Sequence, residues 1–236
     1  MKKSTAWIEL PPINQKHAPS RLLVFLPGDQ SSAESFAPVA IAWQLKFPSA
    51  LCMILQPPLG DGLWWEKHRS RRDAAASCAR LVAQQVQDQQ RLLGLLASQT
   101  ALIGFAQGAT VALELIRRST RGQAHQDEAS VLPLCSIVVA YAAQLARPLL
   151  AHEHVDCSVH LIHGDLDHRV PAIYGQQAYR SLKAAGADVT WDLLADATHT
   201  IGQDGVIVGT NHAALRSHLI LRCPSNRSNS QGDSHE

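Results

Sequence analysis

Short, almost continuous apolar runs alternate along this chain with longer segments whose apolar residues recur every three or four positions. The runs Arg21 to Leu26 (RLLVFL), Ala50 to Leu55 (ALCMIL), Thr100 to Gly104, Cys135 to Ala143, Ser158 to Ile162 and Val189 to Leu194 each predict a strand. Runs this apolar suit a sheet covered on both faces. A weaker strand, Ala6 to Leu10, is closed by Pro11 and Pro12. Ser32 to Leu45, Ser70 to Gln99, Ala109 to Arg118, Ile173 to Ala185 and Gly205 to Leu221 carry the helical period, with Gly94 as an interruption in the second. Pro27-Gly28-Asp29 is a turn signal, and Ser119 to Ser130 reads as a polar surface loop. Strand and helix alternate throughout, which predicts an α/β fold with a mostly parallel central sheet and helices on both faces. Residues 1–223 form one expected domain. The Ser, Asn, Gly and Asp composition of 224–236 predicts a disordered polar tail.

Composition narrows the function classes. A net charge of +1 creates no strong field toward nucleic acid or an acidic membrane surface. The longest apolar runs are too short to span a bilayer. Lys2 and Lys3 are followed too soon by Glu9 and Pro11 for a signal peptide. Five dispersed cysteines without a C-x-x-C pair suggest reduced thiols, so a cytoplasmic location is expected. His152, His154, Cys157, His160 and His163 hint at a metal, but His160 and His163 have opposite parity on a strand. Neither a metal nor a cofactor is expected.

The chemistry is organised around TALIGFAQGATVALEL, residues 100–115. A strand ends at Gly104, a helix follows, and glycines at 104 and 108 flank one residue at 106. That is the layout of the nucleophile elbow, G-x-S-x-G, in which flanking side chains would collide with the neighbouring strand or helix. Here residue 106 is alanine. A dinucleotide loop is a poor fit, because G-F-A-Q-G lacks the spacing G-x-G-x-x-G. Two other strand ends carry polar residues: HGDLDHRVP, with Asp167, and ADATHTI, with His199. Their order along the chain is nucleophile position, acid, histidine.

These segments resemble the phospholipase/carboxylesterase family of α/β-hydrolases, small bacterial esterases related to acyl-protein thioesterases. The resemblance runs from Arg21 to Leu221. LIGFAQGA stands where the family has G-F-S-Q-G, HLIHGDLDHRVP where it has H-G-x-x-D-x-x-V, and ATHTI where it usually has G-H-x-I. Pro27 precedes Gly28 where a histidine is usual, and Thr198 precedes His199 where glycine is common. The resemblance implies an α/β-hydrolase fold, Asp167 as the acid and His199 as the base. A serine at 106 would attack a short acyl ester or thioester, and the N–H groups of Gln107 and Asp29 would receive the oxyanion. Trp64 and Trp65, in the loop after the third strand, are candidate substrate-pocket walls.

Bland alternatives accompany each residue. Asp167 is also a plausible turn cap, His199 a surface histidine, and Trp64 and Trp65 packing residues. Without an oxygen at 106, covalent ester hydrolysis is expected to be lost. Ala106 is then an engineered change, or a natural loss that leaves a pseudo-hydrolase binding an acyl ligand or a partner protein. A third reading has His199 and Asp167 activating water directly. The expected ligand is a small ester, with no nucleic-acid partner and homodimerisation left open.

Overall fold

A computed structural model describes residues 7–66, 68–119 and 133–222. The tail expected from residue 224 onward, Cys223 and most of the expected loop at Ser119 to Ser130 lie outside them. Seven strands form one sheet: β1 (Trp7–Leu10), β2 (Arg21–Leu26), β3 (Ala50–Leu55), β4 (Thr100–Phe105), β6 (Ile137–Tyr141), β8 (Ser158–Gly164) and β9 (Val189–Leu194). Their order across the sheet is β1-β3-β2-β4-β6-β8-β9. β1 runs antiparallel to β3, and every other neighbouring pair is parallel. Two further strands, β5 (Arg118–Ser119) and β7 (Glu153–His154), pair antiparallel in a separate ribbon.

Helices cover both faces, as the alternation of β2 requires. Leu23 and Phe25 face a core completed by Ala33, Phe36, Ala40 and Trp43 of α1 (Ala33–Lys46) and by Ala213 of α5 (Gln203–Arg222). Leu22, Val24 and Leu26 face the opposite core, built with α2 (Arg71–Leu93), α3 (Gln107–Leu115) and α4 (Ala172–Ala184). Side chains that point alternately up and down a strand thus assign each helix to one layer.

Two expected helices are corrected. The segment Ser70 to Gln99 is helical only to Leu93, because Gly94 adopts a left-handed φ of 65° and caps the helix with its N–H on Arg91 O and Gln90 O. A short 3-10 turn, Ala97–Gln99, then leads into β4. The helix after the elbow begins at Gln107, not Ala109, and stops at Leu115. Arg118 belongs instead to the β5–β7 ribbon, whose two-residue strands are too short to leave a periodic signal. No helix of the described residues is long and apolar enough to cross a membrane.

Candidate active site

β4 delivers the chain to the elbow. Ala106 has φ 49° and ψ −113°, a conformation that L residues seldom adopt. Its N–H donates to Tyr141 O at 3.0 Å, so the strained turn is tied to the end of β6. The flanking glycines are sterically demanded. A Cβ at Gly104 would sit 2.6 Å from Ala109 Cα, and one at Gly108 would sit 2.1 Å from Leu26 O. Real side chains cannot occupy those positions without moving backbone. Residues 107 to 109 open α3, and their N–H groups precede the first i−4 acceptor, since Thr110 N–H is the one that reaches Ala106 O. Oriented donors at a helix start are a natural seat for developing negative charge.

The loops after β8 and β9 are sewn together by backbone bonds from Asp165 N–H to Leu194 O and from Leu166 N–H to Ala197 O, both 3.0 Å. They bring Asp167 and His199 into contact. Asp167 Oδ2 lies 2.7 Å from His199 Nδ1, with the carboxylate side chain fully buried. Asp167 Oδ1 accepts the N–H groups of Arg169 at 2.9 Å and Val170 at 2.8 Å. The turn-capping and imidazole-holding readings of Asp167 are therefore compatible, with one oxygen serving each. The His199 ring rests against Phe105, the residue before the elbow, with centroids 4.7 Å apart. With Nδ1 engaged by the carboxylate, Nε2 is the nitrogen left for proton transfer.

A residue with no expected part in this site stands beside the acid. His163 is fully buried, and its Nε2 lies 2.7 Å from Val170 O and 3.6 Å from Asp167 Oδ2. The bond to a carbonyl fixes Nε2 as the protonated nitrogen, which leaves Nδ1 as a buried acceptor without a partner. Burial pushes the His163 pKa down and outweighs the upward pulls of the Val170 carbonyl and Asp167. A neutral His163 thus buttresses the acid loop without competing for the charge of the carboxylate. Its sequence signal was the H-G pair at the end of β8. His160, on the other side of β8, points away, to Thr190 Oγ1 at 2.7 Å and to a stacked His212.

The loop bearing Trp64 and Trp65 packs inward. Trp64 is 3% exposed and Trp65 7%, and both belong to the core beneath α2 and α3. Trp64 nonetheless braces the elbow: its N–H donates to Gln107 Oε1 at 3.0 Å and its indole N–H to Pro27 O at 2.7 Å. Gly28 and Asp29 follow directly. The Cβ position at Gly28 is 3.5 Å from the Ala106 methyl, so this loop runs against the elbow. Asp29 Oδ2 accepts from Arg169 at 2.7 Å. Cys52, Cys78, Cys135 and Cys157 are buried, and burial raises the Cys52 and Cys78 pKa values to about 12 and about 11. Neither of those two is poised as a nucleophile.

Known proteins resemble this chain in sequence or in fold. Esterase YpfH of Escherichia coli is 32% identical over 123 residues, which span 52% of this chain and 47% of that protein, about half its length. The crystal structure of esterase PE8 superposes with a TM-score of 0.76 at 25% identity, over 89% of this chain and 98% of that one. A Bacillus cereus carboxylesterase (TM-score 0.71, 12% identity, 90% and 94% coverage) and Zea mays acyl-protein thioesterase 2 (0.64, 18%, 91% and 100%) share the fold. The model of the phospholipase/carboxylesterase family matches residues 61–215, well over half of the chain and across the elbow, the acid turn and the histidine loop. The chain belongs to the phospholipase/carboxylesterase family of α/β-hydrolases.

Proposed function

We propose that the chain carries the site of a carboxylic-ester hydrolase for short acyl esters or thioesters, with the covalent step removed at Ala106. The observation that carries this reading is the His199 Nδ1–Asp167 Oδ2 contact of 2.7 Å beside an elbow that keeps φ 49° at a non-glycine residue. Such backbone strain costs about 1–3 kcal/mol and persists where the surroundings impose it. With serine at 106, the hydroxyl oxygen would attack the ester carbonyl. His199 Nε2 would take the hydroxyl proton and return it to the departing alkoxide or thiolate. Asp167 would stabilise the imidazolium, and the N–H groups of Gln107 and Asp29 would hold the oxyanion. Water would then release the acid from the acyl-enzyme by the same relay.

The alanine form lacks the attacking oxygen, and loss of a triad nucleophile costs about 10⁶ in turnover in a well-formed serine hydrolase. Retention of the acid–base pair supports a poised scaffold. The second reading, a pseudo-hydrolase that binds an acyl ligand or a partner protein, is favoured by the same strained turn without its reactive group.

The test is Ala106→Ser, assayed beside the original chain on short-chain p-nitrophenyl esters. Activity confined to the serine form supports the esterase site. Inactivity of both forms argues for a repurposed pocket. Activity of the original chain that disappears in His199→Ala would instead indicate water activated directly by the histidine.

A further inference from the structure

The loop that carries Gly28 and Asp29 is fastened on one side by residues from the segment after β3. Gln30 N–H donates to Gly62 O at 3.0 Å, Ala33 N–H to Gln56 Oε1 at 2.8 Å, and the Trp64 indole to Pro27 O at 2.7 Å. The acid and base lie on the other side of the elbow, on loops after β8 and β9. In the sheet, β4 and β6 separate β2 from β8, so the Asp29 loop and the Asp167 loop flank the carboxyl ends of the two central strands. The Arg169 side chain crosses that gap. Arg169 Nη2 reaches Asp29 Oδ2 at 2.7 Å, from a residue 140 positions away. The backbone N–H of the same Arg169 donates to Asp167 Oδ1 at 2.9 Å.

Resting on the esterase reading above, we infer that Arg169 is a positioning residue. It fixes the spacing between the Asp29 oxyanion donor and the His199–Asp167 pair by clamping the Asp29 loop to the acid turn. The oxyanion must form within hydrogen-bond reach of the Asp29 and Gln107 N–H groups while the leaving group remains within reach of His199. Gln107 is held by α3 and the Trp64 contact. Pro27 and Gln30, on either side of Asp29, are tied away from the base toward the segment after β3, and Arg169 supplies the tie that reaches Asp29 itself from the side of the acid turn. The Arg169 side chain is 52% exposed and that of Asp29 21% exposed, which makes the tie modest in strength and sensitive to salt.

Two measurements test the inference. The first uses the chain as it stands: hydrogen–deuterium exchange of the peptide covering residues 27–32. Arg169→Ala is expected to speed exchange there by about two- to fivefold, the range of a partly exposed ion pair. Arg169→Lys should recover part of the protection, and raised ionic strength should mimic the alanine variant. Exchange that is unchanged in Arg169→Ala overturns the clamp. The second measurement places the same variants in an Ala106→Ser background. Arg169→Ala is expected to lower kcat by about two- to tenfold at little-changed KM, since oxyanion contacts act mainly in the transition state. Removing Asp29 as well, as Ala, should cost no more than Arg169→Ala alone. Unchanged kcat with faster exchange overturns the catalytic role. Faster exchange in a serine form that hydrolyses no ester upholds the clamp as a loop tie, and it is the esterase reading that fails.

Discussion

Asp167 divides its two carboxylate oxygens between two tasks, and the one facing His199 lies 2.7 Å from the imidazole Nδ1. The other is saturated by the Arg169 and Val170 N–H groups. This division predicts the effect of Asp167→Asn in an Ala106→Ser background. The amide oxygen can still close the turn, whereas an amide nitrogen toward Nδ1 imposes the wrong tautomer on the ring. We expect kcat to fall by about 10³–10⁴ with little change in Tm, the pattern of a triad carboxylate replaced by its amide. A loss under tenfold in steady-state ester hydrolysis would remove Asp167 from the proposed role.

Strain at Ala106 predicts an unusual stability result. Replacing alanine by glycine normally destabilises, by about 0.5–1 kcal/mol inside a regular element. At φ 49° and ψ −113° the balance reverses, because glycine accepts this region without a Cβ penalty. Ala106→Gly is expected to stabilise by about 1 kcal/mol, read as a higher urea midpoint with unchanged slope. A lowered midpoint would show that the turn is not strained in solution.

The β5–β7 ribbon is anchored by a buried charge cluster. Glu153 Oε2 lies 2.6 Å from Arg117, and Oε1 lies 2.5 Å from Arg147; the Arg117 and Glu153 side chains are nearly inaccessible. Burial alone would raise the Glu153 pKa, but bonds from Arg147, the Leu150 N–H and Arg117 bring it down to about 2. Glu153→Ala takes one buried carboxylate from Arg117, which keeps Glu114 at 3.5 Å and the carbonyls of Arg147 and Pro148, and should cost about 1.5–3 kcal/mol, the range of a lost charge-assisted bond. The measurement is equilibrium unfolding in urea, and a cost below 1 kcal/mol would contradict the burial of the cluster. Because the folded pKa is depressed, this contribution is complete above about 4.5 and is lost as pH falls toward about 2.

A second acid-sensitive element works at higher pH. His160 and His212 stack with rings 4.2 Å apart and 3° from parallel, between β8 and α5. Burial, with the nearby Arg216, lowers both pKa values to about 4 from 6.5, and for His212 the neighbouring His160 adds to this while Asp188 and Asp192 oppose it. The unfolded chain therefore binds protons that the folded chain refuses. Stability is full above 6.5 and declines as pH drops toward about 4. Tm measured between those limits should fall, and His212→Phe, which keeps a stacked ring but cannot titrate, should flatten the decline. An equally steep decline in that variant would locate the acid sensitivity elsewhere.

The architecture was readable because buried strands such as ALCMIL at 50–55 carry their own local signal, and because the elbow glycines sit at a spacing that steric exclusion dictates. The Asp167 and His199 segments could be picked out as polar residues at strand ends. What escaped has a common physical cause. The Arg169–Asp29 tie joins residues 140 apart, and the contact of His163 with the acid turn depends on how that loop folds back. The two-residue strands of the β5–β7 ribbon owe their existence to tertiary contact alone. Trp64 and Trp65 look alike as pocket walls or core fillers in a sequence, and only the packing beneath α2 reveals their burial. The end of α2 at Gly94 was marked by its glycine but needed the left-handed φ to become a stop.

The carbonyls of Leu26 and Pro27 press so closely on Gly108 that the bend at 106 is dictated by its neighbours, whichever side chain the bend displays. Serine and alanine codons can differ by a single base, and their side chains by a single oxygen. An Ala106→Ser exchange is therefore one mutational event, and the frame that would hold the hydroxyl needs no remodelling to receive it.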